Sequence, residues 1–75
     1  MRDGIVATNM LPFGATISIP SLFGNKVFVV EDRMHSRKKS FVDIWMPTKN
    51  AALEFGIHKA EIVILKETSA LLAAL

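Results

Sequence analysis

No cysteine occurs among the 75 residues, so neither a disulfide nor a thiolate-bound metal can form. The two histidines, His35 and His58, have no second histidine or cysteine at ligand spacing, so no metal site and no cofactor is expected. No serine stands in a nucleophile motif. No apolar run approaches the roughly 20 residues of a membrane-spanning helix. Nor does Met1-Arg2-Asp3-Gly4 show the basic-then-apolar pattern of a secretion signal. It leads straight into strand-like sequence, and the chain is expected to start inside its domain. Internal repeats and low-complexity linkers are also absent. What remains is one small domain, of a size that buries only about 60% of the surface its unfolded chain exposes.

Hydrophobic residues, by contrast, make up 51% of the chain, which is high for so small a unit. Some apolar surface is therefore expected to stay exposed or to meet a partner. Net charge is only +2, yet four of the nine basic residues, Arg33, Arg37, Lys38 and Lys39, share one short window with His35. That window reads as a solvated hairpin tip. Its alternative reading is a patch for anionic polymers, nucleic acid among them. It holds no aromatic residue, which argues against nucleic acid.

Turn signals divide the chain into five strands and one helix. Strands are expected over Gly4 to Thr8, Ala15 to Ile19, Lys26 to Asp32, Phe41 to Met46 and Ala60 to Leu65. Pro12 and Gly14 supply a turn after the first strand, and Gly24-Asn25 supplies another. Thr48 suits a helix N-cap and Gly56 the left-handed residue that ends it, with Ala51, Ala52 and Phe55 as the apolar stripe. The central strands are apolar on both faces and need cover on both. Residues 68–75 read as a short helix with Leu71, Leu72 and Leu75 on one side.

Asp32 and Asp43 lie eleven residues apart on what read as neighbouring apolar strands, VVEDRM and VDIWM. Desolvation in such company raises the pKa of a carboxylate or obliges it to find a hydrogen-bond donor. The first outcome suits a general acid. The second would have the two aspartates accept from loop amides and pin the intervening segment. Trp45, the only tryptophan, reads as core or as a platform for a sugar ring.

The same residues carry a resemblance. ATNMLPFGATISIP, VFVVEDRM, VDIWMP and AALEFGIHKAEIVIL, in that order and spacing, resemble the 3D domain, named for three aspartates and found in bacterial cell-wall proteins such as membrane-bound lytic transglycosylase A. Asp32 and Asp43 match the second and third family aspartates; Asn9 stands at the first. RMHSRKKS, residues 33–40, replaces the glycine-rich segment of the transglycosylases. The resemblance implies a mainly β fold, a small double-psi β-barrel over residues 4–66, with residues 67–75 as a C-terminal tail. That barrel has six strands against the five read here, so the first strand is expected to be missing. A second protomer or the tail would fill the gap.

By the same resemblance the protein belongs to the cell envelope and acts on peptidoglycan glycan strands. Asp43 would protonate the oxygen between N-acetylmuramic acid and N-acetylglucosamine, then take the proton of the muramic C6 hydroxyl as it closes on the anomeric carbon. Asp32 would orient Asp43 or stabilise positive charge. Asn9, Arg33 and Trp45 would contact substrate. The alternatives are a non-catalytic wall-glycan-binding module on the same fold, and a polyanion binder using Arg33 to Lys39.

Overall fold

The computed structural model describes residues 2–67; the expected helical tail, 68–75, lies outside the described residues. Five strands form, at the places the turn residues mark: β1 (Ile5–Thr8), β2 (Thr16–Ser18), β3 (Val27–Asp32), β4 (Val42–Ile44) and β5 (Val63–Lys66). Gly14, at φ 86°, closes the turn after β1, where Ala15 N–H donates to the Pro12 carbonyl at 3.2 Å. A short helix that the sequence reading lacked, α1 (Pro20–Phe23), begins at Pro20, whose fixed φ suits a first helical position. The expected helix is α2 (Lys49–Phe55). Its N-cap Thr48 accepts from Ala51 N–H at 3.0 Å, and Gly56, at φ 71°, ends it.

The strands make one mixed sheet in the order β4-β1-β3-β2-β5. β1 and β3 are parallel, and the other neighbours are antiparallel. Here the expected adjacency of the two aspartate strands is corrected, because β1 lies between β3 and β4. All four residues of β1 are buried, so it is the strand least able to occupy an edge, whereas β4 tolerates one. Consequently residues 33–41 are a crossover past β1 and not a hairpin tip.

Side-chain alternation assigns the faces. Val6, Ile17, Phe28 and Val30 are fully buried on one of them, with Val42, Ile44 and Ile62 packed against that cluster. Phe23 of α1 meets Phe28 edge-on at 5.1 Å between ring centroids, and Phe55 of α2 stacks on Phe23 at 5.5 Å. The two helices are thus joined to the core through one aromatic chain. Burying Phe28 alone is worth about 3 kcal/mol. On the opposite face Ile5 is buried and Val29 half-buried, so cover there is partial.

The structure is therefore mainly β, with two short helices. Among the described residues the pairing runs from β4 to β5 and does not join these two strands to each other. No helix among them is long and apolar enough to cross a membrane.

Candidate functional site

Ala7, in the middle of the sheet, is paired with Asp32 of β3 on one side and with Asp43 of β4 on the other. Two regular interstrand spacings put the aspartate Cα atoms about 10 Å apart. Residues directly opposite one another share a face, so both carboxylates flank the small Ala7 side chain on the face away from the Val6 core. A bulge makes this possible. The β1–β3 register passes from Val6↔Val30 to Ala7↔Asp32, leaving Glu31 as the extra residue. Without it Glu31 would stand beside Ala7. Instead Glu31 turns out to an exposed ion pair with Arg2, at 3.1 Å.

Both aspartates are exposed, which corrects the expectation that apolar neighbours desolvate them. Val42 and Ile44 point to the core face, so the side chain between them necessarily points away from it, and β4 is an edge strand open to water. Asp32 Oδ1 accepts from Arg33 N–H at 2.8 Å. The Asp43 carboxylate has no side-chain hydrogen-bond partner among the described residues.

The pair opens onto a cavity of about 530 Å³ whose wall also includes Trp45, Pro47, His35 and Lys49. Trp45 is half-buried, and its backbone N–H donates to the Ile5 carbonyl at 3.0 Å, which extends the β4 backbone along β1 beside the row. Two carboxylates, the basic Arg33 and Lys49, and Trp45 thus share one wall with apolar residues such as Ile5, Ala7 and Ile44. Among the described residues no cluster of three metal-binding side chains gathers. A second, more apolar cavity of about 680 Å³ opens on the core face between Leu22, Phe41, Phe55, Ile57 and Ile62. Asp43 borders both cavities.

Two of the expected substrate contacts are already occupied within the protein. Asn9 Nδ2 donates to the His35 carbonyl at 2.9 Å while its Oδ1 accepts from Met34 N–H at 3.0 Å. Pinning the intervening loop thus falls mainly to Asn9, with Asp32 adding one bond, from the Arg33 amide, and the Asp43 carboxylate none among the described residues. Arg33 lines the cavity but donates through Nη1 to the carbonyls of Thr8 (2.9 Å) and Leu11 (2.6 Å), with its guanidinium 4.1 Å from the Phe13 ring centroid. Buried Thr8 completes the clamp, donating to the Phe41 carbonyl at 2.8 Å and accepting from Met10 N–H at 3.2 Å. Ala7 and Thr8 escaped the sequence reading, since a small residue and a threonine in an apolar strand carry no signal until the pairing is known. Lys38 lies 4.7 Å from the Phe41 ring centroid, so the fold supplies aromatics to a basic window that contains none.

No family model, curated protein or solved structure matches this chain.

Proposed function

We propose that the protein is a peptidoglycan-directed module of the 3D-domain type that binds a glycan strand across the Asp32–Ala7–Asp43 row. The observation that carries this reading is the pairing of both aspartates with one alanine, in register, at the wall of a cavity that Trp45 also lines. Exposed carboxylates, each with at least one oxygen to spare, accept hydrogen bonds from sugar hydroxyls, and Trp45 would offer an apolar face for the CH side of a pyranose ring. A row about 10 Å wide with a methyl group at its centre leaves room for a sugar between the carboxylates. The mixed charge of the rim suits a hydroxyl-rich polymer better than a nucleic-acid backbone, which calls for a uniformly positive groove. In this reading the sheet belongs to a double-psi barrel, and the parallel β1–β3 pair supports that.

Lytic-transglycosylase-like cleavage is the second reading, favoured by the place of Asp43 in the wall of the first cavity, its carboxylate without a hydrogen-bond partner among the described residues. Asp43 would give its proton to the glycosidic oxygen and recover one from the C6 hydroxyl, so one carboxyl group serves both steps, unlike the two-carboxylate hydrolases. A bound glycan would cover the exposed Asp43 carboxylate and so desolvate it. The test is co-sedimentation with peptidoglycan, followed by analysis of released muropeptides. Retention of the intact chain, and at least tenfold weaker retention of a folded Asp32→Asn/Asp43→Asn/Trp45→Ala variant, is expected. Release of 1,6-anhydromuramyl ends that Asp43→Asn abolishes would establish cleavage. Failure to bind at all would reject the cell-wall reading.

A further inference from the structure

The sheet has two outer edges among the described residues, and they are not alike. β4 places Asp43 between half-buried Val42 and Ile44, and a charge in the middle of an edge strand discourages another strand from pairing there. β5 has no such guard. Val63, Ile64 and Leu65 are 44, 49 and 50% exposed, and charges appear only outside them, at Glu61 and Lys66. A free edge of this kind presents unpaired N–H and C=O groups together with apolar side chains.

We infer that β5 is the interface of a two-fold homodimer, in which it pairs antiparallel with β5 of a second copy through an axis at Val63. The strand's own sequence identifies the second copy as its partner. A two-fold axis normal to a sheet keeps every side chain on its own face, so the axis must pass through a residue position. β5 also carries a bulge, since Ile17 is opposite Ile64 and Thr16 opposite Lys66, which leaves Leu65 as the extra residue. Counted across that bulge, an axis at Val63 sets Ile62 opposite Ile64 of the second copy and Glu61 opposite Lys66 of the second copy. Symmetry repeats both pairs. An axis at Ile64 would instead set Val63 against Lys66 and Ile62 against Glu67, placing charges on apolar residues. Only the Val63 register joins like to like at the centre and opposite charges at both ends.

The absence of native cysteine makes the test direct. In the full chain, sedimentation should show a reversible dimer at micromolar concentration. Val63→Cys should form a disulfide-linked dimer on mild oxidation far faster than Leu53→Cys, although Leu53 is the more exposed, at 68%. Lys66→Glu turns both end pairs repulsive and should weaken the dimer about tenfold, while Glu61→Lys/Lys66→Glu restores it. Monomers at every concentration, open-ended polymers, equal cross-linking at Leu53→Cys, or a double reversal no better than the single one would each overturn the proposal.

Discussion

At one end of the sheet β4 carries a carboxylate between two half-buried apolar residues; at the other β5 carries three exposed apolar ones. The β4 end is held to β1 by more than strand pairing. Thr8 binds the Phe41 carbonyl just before β4, and Asn9 and Arg33 fix the loop that leads there. The β5 end has no comparable polar tether among the described residues. It depends on pairing with β2 and on Ile62 packing against the core. The difference teaches that polarity at a sheet edge does two things at once: it keeps foreign strands away and leaves a carboxylate facing solvent. An apolar edge does neither and invites cover.

The largest test of that contrast is Ile17→Ala. Ile17 is fully buried and paired with Phe28 of β3 and Ile64 of β5, so its truncation should cost about 2–5 kcal/mol in denaturant unfolding. Amide exchange should rise in β5 before it rises in β4. Equal loss at both ends would mean that the edges are not separately held. Next in size is Thr8→Val, which keeps the shape but leaves the Phe41 carbonyl and the Met10 N–H without their hydroxyl partner. A cost of about 1–3 kcal/mol, with exchange rising first around β4, is expected.

The smallest effect belongs to neither edge. Lys26 Nζ donates to Asp3 Oδ1 at 2.7 Å and Oδ2 at 2.9 Å, and chiefly for that reason the Asp3 carboxyl is held below its ordinary range. A carboxyl lowered in the folded state contributes stability above its unfolded pKa and loses it as pH falls through the folded one. The group is fully exposed, so the loss should be slight and fade with added salt. Lys26→Met should remove this part of the acid sensitivity. A salt-independent acid slope unchanged by the substitution would assign it to other groups.

Much of the local structure was legible in the chain. Thr48 and Gly56 bracket α2 because the orphan groups at helix ends demand such residues wherever the helix lies, and Gly14 and Gly24 mark turns for similarly local reasons. α1 was missed because four residues after a strand carry no periodicity, only a proline compatible with either state. The site was legible in part: Asp32, Asp43 and Trp45 do line one cavity. Their exposure was not, because burial belongs to the place of a strand in the sheet and not to its sequence neighbours.

Composition alone determined that the chain is free of cysteine and carries more apolar residues than its core hides, and short-range chemistry determined where strands and helix begin and end. Tertiary structure decided the rest. Inserting β1 between β3 and β4 and bulging at Glu31 set both aspartates beside Ala7, and the same topology placed β5 at an edge without a neighbour among the described residues. Such long-range pairings depend on which strand most needs burial on both faces, a comparison among all the strands that no single segment contains.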